Sequence, residues 1–195
     1  MEKAFEQFYP TFLNHHTTPN VEVEFRLGKK NNRYFDTNVG DDVFFRLKRA
    51  LEKFEGWEKT DTEEYQVYTN DSECRAIIHE DESQEYQIKK RLDKLDYSSG
   101  EHPFDVRMAI STETPTENQE DVQFNDVRSC ARTSYFRKGL RIDLTIVSGD
   151  PDDPDDEEDT KYQVEFEIIE PKGVDTKSKF YNHLHKVKDL MKCVK

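Results

Sequence analysis

Two segments near opposite ends of the chain alternate strictly between apolar and polar residues. The first reads Val-Glu-Val-Glu-Phe-Arg-Leu over residues 21–27, and the second begins Tyr-Gln-Val-Glu-Phe-Glu-Ile at residue 162. Successive side chains on a β-strand point to opposite faces, so each segment predicts a strand with one apolar and one charged face. A fold built from such strands must bury the apolar faces and give the charged faces water or a charged partner.

The stretch between these two segments keeps the period of two, and turn-forming residues separate its runs. We therefore expect strands near residues 21–27, 58–69, 72–80, 84–94, 104–113, 127–137, 139–148 and 162–169. Apolar residues three and four positions apart predict amphipathic helices at 41–55 and 175–195. Residues 3–15 predict a short helix and a turn, because Pro10 interrupts their helical spacing.

About eight strands joined mostly by short loops must pair antiparallel, and the helices can cover apolar surface. The fold class is therefore mainly β (α+β), as a closed barrel or as a two-layer sheet covered by helices. We favour a closed eight-stranded antiparallel β-barrel with the helices packed on its outside. It forms a single domain over residues 1–195, with an acidic disordered loop at 150–159.

The preference for a barrel rests on charged faces that recur along the predicted sheet. Besides the glutamate pairs, such faces carry Lys89 with Arg91, Asp105 with Arg107, Arg128 with Arg132, and Arg141 with Asp143. An eight-stranded barrel is only just wide enough inside for side chains, so these faces turned inward would line a tunnel of fixed charge. Two Glu-x-Glu pairs on adjacent strands would converge on one hard divalent ion, while Arg and Lys would bind phosphate oxygens.

Composition restricts the classes of protein that the chain can belong to. The 195 residues are 36% charged and 33% hydrophobic, with a net charge of −13. The run at 150–159 holds eight acidic residues, which leaves −5 for the remainder, so a polyanionic partner is not excluded. No segment resembles a signal peptide or a membrane span, and we expect a soluble intracellular protein. The cysteines, Cys74, Cys130 and Cys193, form no CxxC pair, which argues against a disulfide framework or a zinc ribbon.

Four motifs together resemble a known family. They are Glu22-Val-Glu24-Phe-Arg26, Arg128-Ser-Cys-Ala-Arg132-Thr-Ser134-Tyr, Arg141-Ile-Asp143-Leu-Thr145 and Val164-Glu165-Phe-Glu167. Their order and the closing helix resemble the metal-dependent RNA 5′-triphosphatases of fungal and large-DNA-virus mRNA capping, which are triphosphate tunnel metalloenzymes. The compact length is most like the small stand-alone enzymes of algal viruses. Two positions depart from the fungal pattern, because Gln163 replaces a glutamate and Cys130 replaces a lysine.

The resemblance implies that the chain removes the γ-phosphate from triphosphate-ended nascent RNA, at the site of capping in the nucleus or cytoplasm of a host cell. The diphosphate end would then serve an mRNA guanylyltransferase. The resemblance also implies Mg²⁺ or Mn²⁺ as cofactor, with Glu22, Glu24 and Glu167 as metal ligands and Glu165 beside them. The phosphate-binding residues it implies are Arg26, Arg75, Lys89, Arg91, Arg107, Arg128, Arg132 and Arg141. The catalytic residues it implies are the four glutamates with Arg128, Arg132, Asp143 and Glu113, and Glu113 is one candidate for the base that activates water.

Other readings of the sequence remain open at this point. A tunnel of the same kind would also serve a hydrolase of inorganic triphosphate or of free nucleoside triphosphate. A cysteine phosphatase needs a Cys-x5-Arg loop, and the spacing from Cys130 to Arg137 is one residue too long. His183 and His185 lie two apart on a predicted helix and cannot share a metal. The acidic run at 150–159 would also fit a non-enzymatic module that binds basic proteins, although it lacks the spacing of a calcium loop.

Overall fold

The structure, a computed structural model, describes residues 2–32, 34–70, 73–98, 104–117, 122–150 and 160–193. Apart from Asp150, the predicted acidic loop lies outside the described residues. The helices are α1 (Glu2–His15), α2 (Asp41–Glu52) and α3 (Lys177–Lys192), the last preceded by a 3-10 turn at Pro171–Gly173. The strands are β1 (Val21–Lys30), β2 (Phe35–Asp36), β3 (Lys59–Thr69), β4 (Cys74–His79), β5 (Gln84–Tyr97), β6 (Asp105–Pro115), β7 (Asp126–Arg137), β8 (Leu140–Ser148) and β9 (Lys161–Ile168).

Eight of these strands form a closed antiparallel barrel in the order β1-β6-β5-β4-β3-β7-β8-β9. The barrel closes where β9 pairs with β1, so that Glu24 lies opposite Glu167 and Arg26 lies opposite Glu165. The short strand β2 pairs with the end of β1 at Lys29 and Lys30 and was not predicted. The predicted closed barrel with helices outside is confirmed.

The main apolar core lies outside the barrel, between the strands and the helices. Phe25 of β1 and Phe12 of α1 both pack against Phe180 of α3, with ring centroids 6.5 and 4.5 Å apart. Leu47 of α2 is also fully buried in this core. Fully burying one such side chain contributes roughly 1.5–3 kcal/mol. The alternation of the strands therefore sends apolar side chains outward and leaves the interior polar.

The expectation of a short helix and a turn at 3–15 is wrong, because α1 continues unbroken through Pro10. A proline inside a helix costs about 3 kcal/mol relative to alanine. Pro10 lies on the exposed side of α1, while Phe5, Phe8 and Phe12 are buried on the opposite side. Burial of three aromatic side chains outweighs the cost of one missing backbone hydrogen bond. None of the helices in the described ranges is long and apolar enough to span a membrane.

The tunnel has two mouths, which we name by the hairpins that border them. The β4–β5 mouth carries the β4–β5 and β7–β8 turns, and the β5–β6 mouth carries the β3–β4, β5–β6 and β8–β9 connections. This assignment follows from the antiparallel order, because neighbouring strands run in opposite directions and each turn lies at the mouth where one strand ends and the next begins. Asp150 and Thr160, the described residues that flank 151–159, therefore lie at the β5–β6 mouth.

Candidate active site

The inner face of the barrel surrounds a cavity of about 320 Å³ with charged side chains. Strand alternation explains its composition, because the residues between the outward apolar positions are polar. The lining residues are Glu22, Arg26, Glu63, Tyr65, Val67, Arg75, Ile77, His79, Glu85, Gln87, Lys89, Glu113, Arg132, Arg141 and Glu165. The structure thus brings most of the predicted site residues into one cavity.

Lys89 of β5 lies at the centre of a cluster of three carboxylates. Its Nζ is 2.5 Å from Glu22 Oε2, 2.8 Å from Glu113 Oε1 and 3.6 Å from Glu24 Oε2. Burial alone would lower the pKa of this ammonium, but the carboxylates of Glu24, Glu22 and Glu113 outweigh burial and raise the pKa. Lys89 therefore stays charged inside the tunnel.

Arg26 bridges the two strands that close the barrel. Its Nη2 donates to Glu24 Oε2 at 3.0 Å, and its Nε lies 3.0 Å from Glu165 Oε1 on β9. Burial would raise the pKa of Glu24, but Arg26 and Lys89 hold that pKa at about 2. Glu24 is therefore ionised at every pH at which the protein would work.

A second network connects β7, β8 and β9 around the buried carboxylate of Asp143. Asp143 accepts hydrogen bonds from Ser134 Oγ at 2.7 Å and from Arg141 Nε at 2.9 Å. Arg141 Nη2 also lies 2.5 Å from Glu167 Oε2. Asp143 thus holds Arg141 in position, and Arg141 in turn orients Glu167.

Arg132 points into the cavity but is only loosely paired. Its Nη1 is 3.5 Å from Glu63 Oε1, its Nε is 4.0 Å from Asp143 Oδ2, and its guanidinium stacks 4.8 Å above the Tyr65 ring. Sequence reasoning did not select Glu63, Tyr65 or His79 for the site. The period of two along β3 places Glu63 and Tyr65 on one face, but only the register opposite β7 puts that face beside Arg132.

Three of the predicted phosphate-binding arginines lie away from the cavity. Arg128 pairs at 2.5 Å with Asp126 of its own strand. Arg107 is held by Asp96 at 2.7 Å and stacks on Phe35. Arg91 is exposed on the inner face beyond Lys89. These arginines lie toward the β5–β6 mouth, whereas Arg75 lines the cavity with its Nη1 3.9 Å from Glu113 Oε1.

The carboxylates of β1 and β9 have the chemistry of a divalent-cation site. Burial raises the pKa of Glu167 to about 7, and the nearby acids Glu22, Asp143 and Glu113 add to the effect against the opposing charge of Arg141. Burial and Glu24 likewise raise the pKa of Glu22. Hard carboxylate oxygens that raise one another's pKa values in this way suit Mg²⁺ or Mn²⁺.

In this structure, basic side chains lie between these carboxylates and keep them apart. Within the described ranges, no group of three or more His, Cys, Asp or Glu side chains is arranged to hold a metal ion. Lys89 separates Glu22 from Glu113, and Arg26 separates Glu24 from Glu165. Metal binding by these glutamates stays a prediction.

The cysteine-phosphatase reading does not fit the surroundings of Cys130. Burial raises the pKa of the Cys130 thiol, so the nucleophilic thiolate is disfavoured. Arg137, the nearest downstream arginine that could close a phosphate loop, instead stacks 4.6 Å from the Phe54 ring outside the barrel. The tunnel chemistry therefore rests on carboxylates and cations rather than on a thiol.

Known proteins share this sequence pattern. The profile of the family described as mRNA capping enzyme, beta chain, matches residues 58–195. The chain is 28% identical over 168 residues to the 5′RNA triphosphatase of Paramecium bursaria Chlorella virus 1. That alignment covers 86% of this chain and 85% of the viral protein.

Solved structures share the fold. The S. pombe RNA triphosphatase Pct1, in complex with the Spt5 CTD, matches with a TM-score of 0.78 at 18% identity, over 97% of this chain and 91% of Pct1. The RNA triphosphatase domain of the mimivirus mRNA capping enzyme matches with a TM-score of 0.73 at 13% identity, over 100% and 97% of the two chains. Because the family profile extends over more than half of the sequence, the chain belongs to the mRNA capping enzyme beta-chain family.

Proposed function

We propose that the chain is an RNA 5′-triphosphatase, which removes the γ-phosphate from triphosphate-ended RNA in the first step of mRNA capping. The observation that carries the proposal is the closed tunnel, whose cavity of about 320 Å³ combines buried carboxylates with arginines and a lysine. Family membership and the viral relative's name, 5′RNA triphosphatase, support the same reaction.

Two of the buried polar atoms that lack a hydrogen-bond partner belong to the β7 and β8 strands of the barrel and would suit phosphate oxygens. In the described part of the chain, Arg132 Nε and Thr145 Oγ1 are buried and have no hydrogen-bond partner. Leaving a buried polar group unsatisfied costs about 1–3 kcal/mol, so such groups are expected to receive a ligand. Arg75 and Arg132 also have long ion pairs, of 3.9 and 3.5 Å, which leaves donors free for phosphate.

The tightly paired cations have a different role in the proposal. Arg26 and Arg141 approach carboxylates within 3.0 and 2.5 Å, and they fix the side chains of Glu24 and Glu167 on adjacent strands. Such fixed charges stabilise developing charge without reorganising during the reaction. Arg75, Lys89 and Arg132 would hold the phosphoryl group in line with the attacking water.

The proposed cofactor is Mg²⁺ or Mn²⁺, held by Glu22, Glu24 and Glu167 with Glu165 beside them. When bound, the ion would neutralise charge on the phosphate oxygens and on the crowded carboxylates. Glu113 would hold the attacking water, because its carboxylate lies on the inner face next to Lys89. Its exposure within the cavity leaves room for that water.

The product of this reaction is an RNA with a 5′-diphosphate end. Such an end is the chemical substrate of an mRNA guanylyltransferase, and we propose that enzyme as the next to act. Triphosphate-ended RNA is the partner that the cavity would receive.

Phosphate release from γ-labelled, triphosphate-ended RNA tests the proposal, with inorganic triphosphate and ATP as competing substrates under the same Mg²⁺ concentration. Arg132→Gln should lower kcat/KM for RNA about 100-fold or more, because charge-assisted contacts to phosphate are lost. Arg137→Gln is the matched control, since Arg137 lies on the outer face of the same strand, and its effect should stay within about three-fold. Faster turnover of inorganic triphosphate or ATP than of RNA would replace the proposal with the alternative hydrolase.

A further inference from the structure

Strand β5 contains a β-bulge at Leu92. Arg91 lies opposite Ser111 of β6, whereas Asp93 lies opposite the next residue, Ile110. Leu92 therefore has no partner on β6, and β5 contains one more residue than β6 at this point. Bulges of this kind redirect side chains and are common beside active sites.

The bulge changes which residues of β5 face the tunnel. Ser111 is on the inner face, because its Oγ donates to Glu22 at 2.8 Å, so Arg91 opposite it also faces inward. Two residues earlier on β6, Ala109 faces inward and lies opposite Lys94. Without the extra residue, simple alternation from Lys89 would place Asp93 inside. The bulge therefore turns Lys94 and Asp96 inward in place of Asp93 and Leu95, and Arg107 holds Asp96 at 2.7 Å.

Arg91 and Lys94 are exposed and form no close ion pair. In the described part of the chain, neither side chain has an acidic oxygen within 4.0 Å, whereas Arg26, Lys89, Arg132 and Arg141 all do. Arg91 and Lys94 therefore join the loosely paired Arg75 and Arg132 as inner cations that are available to a ligand.

Their place along the strand is also informative. At about 3.3 Å per residue of β6, Arg91 lies ~7 Å and Lys94 ~13 Å beyond Lys89, in the direction of the β5–β6 mouth. A triphosphate bound near Lys89, Arg75 and Arg132 must continue into the rest of the RNA through one mouth. Arg91 and Lys94 form a cationic track from the cavity to this mouth.

The opposite mouth is acidic along the side formed by β3, β4 and β5. Its rim carries the acidic residues Glu63, Glu64, Glu80, Asp81 and Glu85, which border a surface depression beside His79. A phosphodiester backbone that left through this mouth would meet an acidic rim with low electrostatic affinity for phosphate.

We propose that Arg91 and Lys94 bind backbone phosphates of the RNA that follow the 5′-triphosphate, so that the bulge at Leu92 gives RNA an advantage over free nucleotide and inorganic triphosphate. This inference rests on the proposed function. It assigns the RNA body to the β5–β6 mouth and names contacts that inorganic triphosphate cannot make.

The test compares Arg91→Gln, Lys94→Gln and the double variant on triphosphate-ended 20-mer RNA, ATP and inorganic triphosphate. For the double variant, we expect the loss of kcat/KM on RNA to exceed the loss on inorganic triphosphate by at least about ten-fold. The KM for RNA should also depend less on salt, with the slope against log salt smaller by about 1.4, because each lost contact to a single strand removes about 0.7. The matched control is Lys90→Gln, since Lys90 is the exposed neighbour on the opposite face and should change neither ratio nor slope.

A binding measurement separates failure of this inference from failure of the proposed function. Fluorescence anisotropy with 5′-diphosphate 20-mer RNA needs no turnover, and the double variant should bind it at least ten-fold more weakly than Lys90→Gln. Absence of phosphate release from RNA by the unmodified protein would overturn the proposed function alone. Equal losses on all three substrates, or unchanged RNA binding, would overturn the role of Arg91 and Lys94. A ten-fold gain in RNA binding from Glu80→Lys with Asp81→Lys would also overturn it, because the RNA would then pass the β4–β5 mouth.

Discussion

Glu24 and Glu167 lie directly opposite each other across the seam that closes the barrel, yet their pKa values move in opposite directions. The pKa of Glu24 is lowered to about 2, and the pKa of Glu167 is raised to about 7. Both are buried, so the difference comes from the cations. Arg26 and Lys89 outweigh burial at Glu24, whereas Arg141 alone does not offset burial and neighbouring acids at Glu167.

This asymmetry predicts that two Gln variants have the same effect on activity and different effects on stability. Glu24→Gln and Glu167→Gln should each lower turnover on RNA about 100-fold or more, as expected for metal ligands. Without metal at pH 8, Glu24→Gln should destabilise the fold by about 1–3 kcal/mol, because it leaves buried cations uncompensated. Glu167→Gln should be as stable as the unmodified protein or slightly more so, because the raised pKa means that an ionised Glu167 costs folding free energy at pH 8.

Urea unfolding of both variants, next to turnover with Mg²⁺, checks this prediction. Arg137→Gln serves as a control for a charge change outside the tunnel. Full activity in either variant would contradict the role of these residues as metal ligands. Equal destabilisation by both would show that the pair is a structural ion network.

Chelation of divalent cations should abolish phosphate release from RNA, because the proposed site offers carboxylates for a metal and no activated thiol. Cys130→Ala should keep most of the activity, since burial raises the pKa of that thiol and disfavours the thiolate. Phosphate release with and without EDTA, followed by added Mg²⁺ or Mn²⁺, measures the effect. Activity that survived chelation and vanished with the Cys130 side chain would reverse this assignment.

Replacing residues 151–159 with a Gly/Ser linker of equal length should keep the fold and kcat on RNA. The KM for RNA should fall several-fold at low salt, because seven of the eight acidic residues are removed from a segment joined to the β5–β6 mouth. The difference should shrink at high salt as screening increases. A thermal melt and a salt series of initial rates test this, and a ten-fold loss of kcat, about 1.4 kcal/mol in the barrier, would contradict it.

His183 should make the fold less stable as the pH falls. Burial, followed by the charge of Lys186, lowers the pKa of His183 to about 4, below the unfolded value near 6.5. Between these values the unfolded chain binds a proton that the folded chain excludes, so stability is lost as the pH falls through this window. From pH 7.5 to pH 5.0 the loss from this residue is about 2 kcal/mol.

Urea unfolding at these two pH values measures the loss for the unmodified protein, His183→Gln and His185→Gln. The first variant should lose about 2 kcal/mol less than the unmodified protein over this interval. The second should behave like the unmodified protein, because His185 is exposed on the same helix. Identical pH dependence in all three proteins would contradict the assignment.

The eight barrel strands and the charged character of the inner face could be predicted, because both depend on alternation along single strands. The ion pairs could not, because they depend on register: Lys89 meets Glu113 only through the pairing of β5 with β6, and Arg132 meets Glu63 only through that of β7 with β3. The prediction of α1 was wrong because the local effect of Pro10 was considered without the stabilisation from the buried aromatic face of the helix.

The bulge, by contrast, has a signal in the sequence. Outward apolar residues of β5 fall at even positions through Leu92 and at odd positions from Leu95 to Tyr97. A change of phase within one strand indicates one inserted residue. The expected strand at 84–94 ended at this phase change, while the actual strand continues to Tyr97.

Because the core of this barrel lies on its outside, neighbouring residues of one strand meet different physical requirements. On β1, for example, Val23 and Phe25 are held by packing against the helices, while Glu24 and Arg26 between them meet only the tunnel's electrostatic needs. Substitutions at inner positions can therefore alter which anion the tunnel accepts while the apolar packing against the helices stays unchanged. The shape of such a barrel depends on its outward apolar pattern, which is consistent with TM-scores above 0.7 at identities below 20%.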